Sequence, residues 1–381
     1  MFGELVGIIF VTLTIASGQH SSADRVDAPR DAPILHRYKR FFPLFSVIRF
    51  PNSQCTASNS FNGTCYTRRE CFAQGGTALG SCANGFGVCC VFQKSCGATT
   101  SANNTYFINP SYPTTFDGGD RCMLMVQKYS ANVCQLRLDF LDFSLAQPTS
   151  EGICDYDLLS VSGGSSRVPR ICGENSDQHV YVDYDGLNPI AISIDASSEY
   201  SFKRRWNIRV QQIACDSATK APSGCLQYYT ATSGIVMSFN YGTINNARPS
   251  MNATIPIGTR EMADLNYGAC VRLASGYCSL KWSLIEENSF SISGNGTSGT
   301  ATFGSNCITD YIIIPNAAEV NTSISTLTAD RFCGSAFTPK ITTLKPYVLY
   351  VITDSNETNS TTPDTENKGF ALMYRQMICS I

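Results

Sequence analysis

Among its reactive side chains, the sequence contains few histidines and many cysteines. Histidine occurs three times, at positions 20, 36 and 179, whereas cysteine occurs 18 times in 381 residues. A Ser-His-Asp or Cys-His catalytic group needs a base that titrates near neutral pH. His179 is the one histidine beyond residue 40, and it lies in a strand-like pattern, Gln178-His179-Val180-Tyr181-Val182. An edge or surface position in a strand is the expected role of this residue.

Catalytic and phosphate-binding motifs are missing from the sequence. It contains no Gly-x-Ser-x-Gly, Gly-Asp-Ser-Gly-Gly or His-Glu-x-x-His segment. Paired carboxylates of the glycosidase kind stay open as an alternative, but nothing in the sequence selects a pair. The net charge of −2 argues against nucleic-acid binding. We therefore expect a protein that is not an enzyme.

The N-terminal residues are typical of targeting and processing. Residues 1–18 contain an apolar stretch followed by Ala16-Ser17-Gly18, and they are predicted to be a secretory signal peptide. An amphipathic N-terminal helix is the alternative. No later apolar run approaches the roughly 20 residues that span a bilayer. We expect a secreted, extracellular protein without a membrane span.

Residues 19–40 are predicted to be a propeptide or linker. This segment is polar, and it ends in a basic tetrapeptide built from Arg37, Lys39 and Arg40. The tetrapeptide resembles a furin-type processing site. A solvated charge cluster is the alternative interpretation.

The cysteines form three groups of six, and the last two groups lie on an internal repeat. The positions are 55, 65, 71, 82, 89 and 90; then 96, 122, 134, 154, 172 and 215; then 225, 270, 278, 307, 333 and 379. Cys154-Asp-Tyr-Asp157 matches Cys307-Ile-Thr-Asp310, and Arg170-Ile-Cys172-Gly173 matches Arg331-Phe-Cys333-Gly334. We predict two copies of one domain, at 96–215 and 225–379. So many cysteines indicate an oxidising compartment.

Both repeats show the alternation of β-strands. Apolar side chains occupy every second position in segments such as Leu136-Arg-Leu-Asp-Phe140 and Ile190-Ala-Ile-Ser-Ile194. The same pattern recurs at Leu280-Lys-Trp282 and Tyr347-Val-Leu-Tyr-Val351. Such alternation means that one face of the strand is buried and the other is exposed to solvent. We expect an all-β protein with sandwich or jelly-roll domains.

Several segments carry a family resemblance. Cys96-Gly97, Asn109-Pro-Ser-Tyr-Pro113, Cys154-Asp-Tyr-Asp157 and Ile171-Cys172-Gly173 look like parts of a CUB domain. The second repeat is similar at Cys225, Asp310-Tyr-Ile-Ile, Phe332-Cys333-Gly334 and Lys368-Gly369-Phe370. The resemblance implies two antiparallel β-sandwiches. The tandem arrangement also resembles a group of secreted arthropod CUB proteins.

The resemblance implies a disulfide pattern as well. The bridges expected from it are Cys96–Cys122, Cys154–Cys172, Cys225–Cys270 and Cys307–Cys333. That leaves Cys134 with Cys215 and Cys278 with Cys379, a bridge in each repeat that is an addition to the common CUB pattern.

Residues 41–95 are predicted to be a small disulfide-rich knot. So short a segment needs staples to be stable, and six cysteines permit 15 connectivities. The spacing and the adjacent Cys89-Cys90 resemble arthropod clip domains. That resemblance implies Cys55–Cys89, Cys65–Cys82 and Cys71–Cys90. A clip domain usually precedes a serine protease, which this sequence does not contain.

Calcium in the first repeat is the one cofactor that the resemblance suggests. Many CUB domains bind Ca²⁺ through three acidic positions on separate loops, because calcium prefers six to eight oxygen ligands. Asp157 and Asp195 match two of the positions in the first repeat, and Asp310 and Asp354 match them in the second. The alternative is that these side chains cap turns.

The third acidic position is the weak point of the calcium hypothesis. It falls near Ser144 in the first repeat and near Asn288 in the second, and neither residue is acidic. Glu151 or Glu287 would have to take its place.

Seven Asn-x-Ser/Thr sequons predict a glycoprotein. They begin at Asn62, Asn103, Asn252, Asn295, Asn321, Asn356 and Asn359. The last five lie in the second repeat, where glycans would shield the surface from partners. The first repeat is therefore the expected docking surface.

The sequence favours a secreted, non-enzymatic protein that binds an extracellular protein or glycan ligand through loops on its rigid CUB domains. One alternative is a regulator of an extracellular serine-protease cascade that acts through the clip-like knot. A structural component of an extracellular matrix is another alternative, although its usual low-complexity repeats are missing.

Overall fold

The computed structural model describes residues 48–198, 202–242, 260–293, 299–320, 329–355 and 367–379. The predicted signal peptide, the basic tetrapeptide and the sequons at 252, 295, 321, 356 and 359 lie outside these ranges. The chain separates into a first unit that ends at Cys90 and a second that begins at Val91. The sequence had suggested a boundary between residues 95 and 96.

The first unit is a short sheet and one helical segment held by three disulfides. It contains β1 (Gln54–Thr56), β2 (Asn62–Tyr66), α1 (Arg68–Ala73), β3 (Thr77–Cys82) and the start of β4 (Gly87–Lys94). The helix begins with a capping box, in which Thr67 and Glu70 each bind the other's backbone N–H. The bridges are Cys55–Cys89, Cys65–Cys82 and Cys71–Cys90. They are the pairs that the clip resemblance implies.

The second unit contains both repeats, and each is a sandwich of two sheets. The first repeat consists of β5 (Ala98–Thr100), β6 (Thr105–Ile108), β7 (Arg121–Val126), β8 (Val133–Ser144), β9 (Asp157–Ser162), β10 (His179–Asp183), β11 (Ile190–Ala196) and β12 (Arg205–Ala214). One sheet has the order β5-β7-β11-β9 and the other has the order β6-β12-β8-β10. Within this unit, Phe92–Lys94 at the end of β4 pair with β6.

The second repeat has the same arrangement with extra edge strands. Its strands are β13 (Cys225–Tyr229), β14 (Ser233–Met237), β15 (Asn266–Val271), β16 (Tyr277–Leu284), β17 (Phe290–Ser291), β18 (Ala301–Phe303), β19 (Tyr311–Ile313), β20 (Ala318–Glu319), β21 (Arg331–Gly334), β22 (Lys340–Thr342), β23 (Tyr347–Ile352) and β24 (Gly369–Ile378). The sheets run β13-β15-β23-β19-β21-β18 and β14-β24-β16-β22-β20, with β17 added beside β24. The all-β class and the sandwich architecture predicted from the sequence are confirmed.

The strand pairing is antiparallel except at a few edges. β5 pairs with β7 in parallel, and β13 pairs with β15 in parallel at the equivalent place of the second repeat. β4 and β6 also run parallel. The shared exception supports the duplication, because strand order and strand direction recur together.

Alternating apolar side chains from the two sheets meet inside each sandwich. Trp206 on β12 and Trp282 on β16 are fully buried, although β12 and β16 are not counterparts in the two repeats. Trp206 contacts the rings of Phe107 and Phe116. Burial of such large side chains contributes to the hydrophobic stabilisation of each sandwich.

Three disulfides hold each repeat. They join Cys96–Cys122, Cys134–Cys215 and Cys154–Cys172 in the first, and Cys225–Cys270, Cys278–Cys379 and Cys307–Cys333 in the second. Four of these are the pairs that the CUB resemblance implies, and the other two are the additional bridges, from β8 or β16 to the end of each domain, that were expected from the remaining cysteines. In the described ranges no helix has the length and apolar character that a bilayer-spanning segment needs.

Strand β10 departs from the expected alternation because both of its faces are covered. Val180 and Val182 point into the first sandwich, while His179 and Tyr181 on the other face are also buried. Tyr181 packs with Tyr228 of β13, in a cluster formed by both repeats that also contains Val348 of β23. The second repeat therefore replaces water on the outer face of β10.

Candidate functional site

Asp157, the first residue proposed to bind calcium, is fully buried beside Arg204. The side chains of both residues have no exposed surface. Nε of Arg204 donates to Oδ2 of Asp157 and Nη2 donates to Oδ1, each at 2.8 Å. Two parallel charge-assisted hydrogen bonds make this a strong and directional pair.

Backbone amides complete the surroundings of the Asp157 carboxylate. The amide of Ala146 donates to Oδ2 at 2.7 Å, and the amide of Ser197 donates to Oδ1 at 3.2 Å. Each carboxylate oxygen therefore accepts two N–H donors. Asp157 begins β9 and lies opposite Ala196 of β11, so the pairing of these strands sets this geometry.

Asp195 lies apart from this group. It forms a partly exposed ion pair with Arg121, at 3.2 Å from its Nε to Oδ1 of Asp195. The two residues are cross-strand partners on β11 and β7. Because Ala196 is the residue opposite Asp157, the neighbouring Asp195 side chain is directed to the other face of the sheet.

The strand register revises the correspondence between the repeats. Tyr311 after Asp310 pairs with Ile352, just as Leu158 after Asp157 pairs with Asp195. The counterpart of Asp195 is therefore Ile352. The counterpart of Asp354 is Ser197, two residues from the match drawn on sequence alone. In agreement, the Asp354 amide donates to Oδ1 of Asp310 at 2.8 Å, as the Ser197 amide donates to Asp157.

The third acidic position is not filled by a carboxylate in the first repeat. Ser144 donates its hydroxyl to Oε1 of Glu174 at 2.6 Å, and Glu151 lies exposed. Asn288 and Glu287 are exposed in the second repeat. Across the described ranges, no three histidine, cysteine or acidic side chains form a group that could hold a metal.

The junction between the repeats is centred on Asn240, which is completely buried. Its Oδ1 accepts from the Glu174 amide at 2.9 Å, and its Nδ2 donates to Gln147 Oε1 and to the Arg260 carbonyl at 2.9 and 2.8 Å. Its own amide donates to Oδ1 of Asn175 at 2.8 Å. One side chain of the second repeat thus satisfies polar groups of the first.

Gly173 allows this close approach. Its φ of +76° lies in the left-handed region, and a Cβ on it would lie 2.1 Å from Oδ1 of Asn240. Two further junction bonds run from Nε2 of Gln178 to the Ser238 carbonyl and from Nε2 of Gln227 to Gln178 Oε1, at 2.9 and 3.0 Å. The junction is therefore a continuous polar seam beside an apolar cluster.

His179 belongs to this junction. Its Nε2 lies 3.1 Å from both the amide nitrogen and the carbonyl oxygen of Tyr228, so either neutral tautomer finds a partner. Burial and, secondarily, the positive charge of Arg137 lower the pKa of His179 to about 4. A buried imidazole held in this way contributes to packing and offers no exposed base.

A cleft of about 520 Å³ opens beside the junction. Its walls are residues 152–154 and 167–170 of the first repeat and residues 263–266, 352 and 353 of the second. The Ala263 amide donates to the Gly152 carbonyl at 3.0 Å, which ties the walls together. The charged lining residues are Arg167, Arg170 and Asp264, all exposed.

The two arginines of the cleft differ in their roles. Nη2 of Arg170 lies 3.4 Å from the Cys154 carbonyl, and Nη1 of Arg331 lies 3.4 Å from the Cys307 carbonyl at the equivalent place. This recurrence indicates that Arg170 supports the disulfide loop. Arg167 is exposed and makes no such bond to another residue in the described ranges.

Sequence reasoning missed Arg204, Asn240 and Arg167. For Arg204 a signal was present, because it has the same alternation phase as Trp206, Ile208 and Val210 and therefore had to point inward. Asn240 precedes Tyr-Gly in a turn-like segment, which indicates a turn but not a partner.

We expect Asn240→Asp to weaken the chain. A carboxylate there cannot donate to Gln147 or to the Arg260 carbonyl, so the free energy of unfolding should fall by roughly 2–3 kcal/mol. Urea unfolding followed by tryptophan fluorescence would measure the loss. The control is Asn306→Asp at an exposed position of the same repeat; equal stability of the two variants would contradict the role of Asn240.

His179 should make stability depend on pH. Above pH 6.5 both folded and unfolded chains carry neutral imidazole, whereas between 6.5 and about 4 only the unfolded chain takes up the proton. Stability is thus lost as the pH falls through this window, by about 3 kcal/mol from this residue. Unfolding of wild type and His179→Gln at about pH 7 and about pH 4.5 would show a smaller loss in the variant. Identical losses would refute the assignment.

Comparisons with known proteins agree with this architecture. The CUB domain family matches residues 96–206, and the animal CUB domain family matches residues 222–377. The search of curated proteins finds no match.

Solved structures similar to the chain include the CUB1-EGF-CUB2 domains of human MASP-1/3, at 15% identity and a TM-score of 0.24, covering 71% of this chain and 98% of that one. The same domains of rat MASP-1 match at 13% identity and a TM-score of 0.26, covering 75% and 99%. The MASP-1 CUB2 domain bound to Ca²⁺ matches at 20% identity and a TM-score of 0.26, covering 30% and 98%. The two family matches show that the chain carries two CUB domains in tandem, modules of an extracellular, protein-binding type that are generally not catalytic.

Proposed function

We propose that this chain is a secreted, non-enzymatic binding protein whose paired CUB domains take an extracellular protein ligand. The observation that carries the proposal is the cleft at the junction, where both domains contribute walls. Ligand sites occur preferentially at domain interfaces, and this cleft has a volume of about 520 Å³. A glycan is the other ligand class that the CUB resemblance suggested.

The buried junction supports this proposal. Because Asn240, Gln178 and His179 link the domains through buried hydrogen bonds, we expect the walls of the cleft to keep a constant separation. A preformed cleft avoids the entropic cost of ordering two modules when the ligand arrives.

The charges of the cleft favour a ligand with an acidic side chain. Arg167 offers a planar guanidinium that suits a carboxylate, and Asp264 on the opposite wall suits a donor. We infer a partner whose bound segment carries at least one Asp or Glu toward Arg167.

We expect Arg167→Glu to abolish capture of this partner. Reversal of the charge replaces an ion pair by repulsion and should weaken binding by at least about tenfold. The glycosylated protein would be immobilised, exposed to extracellular fluid of its source tissue, and its bound proteins identified by mass spectrometry. Purified partners would then be titrated to obtain affinities.

Lys345→Glu is the matched control, since Lys345 is exposed and precedes β23, whereas Ile352 of the cleft ends this strand. Partners that bind wild type and Lys345→Glu but not Arg167→Glu would support the proposal. Equal binding to all three proteins would refute the cleft as the site.

A second candidate function follows from the N-terminal knot. Its three disulfides pair as the clip resemblance implies, which favours regulation of an extracellular serine-protease cascade.

Binding of a calcium ion in the second CUB domain, near Asp310 and Asp354, is a separate proposal.

Deletion of residues 41–90 separates the two candidates. This deletion spares Phe92–Lys94, which pair with β6, so the first CUB domain keeps its edge. We expect the shortened chain to capture the same partners with unchanged affinity. If circular dichroism shows that the CUB domains of the shortened chain are folded but partners are no longer captured, the knot carries the binding function.

A further inference from the structure

The Asp157 carboxylate has no lone pair left for a metal ion. A carboxylate offers about four lone-pair directions. In the first CUB domain they are taken by the amides of Ala146 and Ser197 and by Nε and Nη2 of Arg204. The residues present therefore do not fit a calcium ion at the position that the CUB resemblance suggested.

Arg204 is as fully engaged as its partner. Its Nη1 donates to the carbonyls of Asp117 and Phe202, and its Nη2 donates also to the Ser197 carbonyl. Together with the two bonds to Asp157, all five guanidinium N–H groups have acceptors. The positive charge is thus neutralised and solvated entirely by the protein.

These contacts join separate loops at one end of the domain. Asp117 lies between β6 and β7, Ser197 and Phe202 lie between β11 and β12, and Ala146 follows β8. A calcium ion with oxygen ligands from several loops would hold them in the same manner. The guanidinium performs this organising role with a charge that is part of the chain.

Gly118 provides the space that the guanidinium occupies. Its φ is +95°, and a Cβ on it would lie 2.5 Å from Nη1 of Arg204 and 2.7 Å from the Ser197 carbonyl oxygen. A side chain at this position would push the guanidinium away from its acceptors. Glycine at position 118 therefore allows the Arg204 guanidinium to reach its acceptors.

We propose that the Arg204 guanidinium is the resident cation of the first CUB domain and replaces calcium there. The loop end of this domain consequently keeps its structure in the absence of divalent cations. A ligand that binds these loops binds them without calcium.

Hydrogen–deuterium exchange of the full glycosylated chain tests this proposal loop by loop. Peptides covering residues 113–120, 144–158 and 202–206 would be compared in EDTA and in millimolar calcium. The expected result is identical deuterium uptake in both conditions. Slower uptake of these peptides in calcium would overturn the proposal. Peptides around Asp310 and Asp354 are read separately, so calcium in the second domain does not affect the outcome.

The variant Arg204→Gln examines the organising role itself. Loss of the guanidinium leaves a buried carboxylate without a counter-charge, so exchange in the three loops should accelerate by more than about tenfold, with and without calcium. Lys203→Gln is the matched control, because Lys203 pairs with Asp117 on the surface. Unchanged protection in Arg204→Gln would overturn the proposal. If this variant is not secreted in folded form, the comparison of wild-type exchange in EDTA and in calcium tests the proposal by itself.

Discussion

A buried polar side chain is stable only when its hydrogen-bonding groups are satisfied, and Asn240 finds its partners on both CUB domains. Separation of the domains would expose the apolar cluster around Tyr181 and Tyr228 and would break this network at the same time. The cost of losing both together makes one fixed arrangement of the pair far more stable than an open one. The cleft beside Arg167 exists only in that arrangement.

A large part of the fold could be predicted from the sequence, because its evidence is local or repeated. Alternation of apolar residues such as Leu136 and Leu138 depends on a single strand, and the cysteines mark equivalent places in both repeats. The junction could not be predicted in this way. Alternation indicates that one face of β10 is wet, but it carries no information on a second domain that covers His179 and Tyr181.

The candidate site, too, could be predicted from the sequence only in part. Asp157 and Asp310 were identified correctly as equivalent acidic residues, but their chemistry depends on what surrounds them. Whether a buried carboxylate faces a metal or a guanidinium is decided by a residue 47 positions away, Arg204. The register error between Asp195 and Asp354 arose because loops of different length separate the strands, and only pairing with β9 and β19 shows which residues correspond.

The central claim is that the two CUB domains form one rigid body with a preformed cleft. Its most direct test is a distance distribution between spin labels carried by non-natural amino acids at Leu187 and Ile308, which are both 78% exposed, one on each domain. Double electron–electron resonance of the full chain should give one narrow distance peak. A broad or multiple distribution would show that the domains move independently, and it would contradict the account.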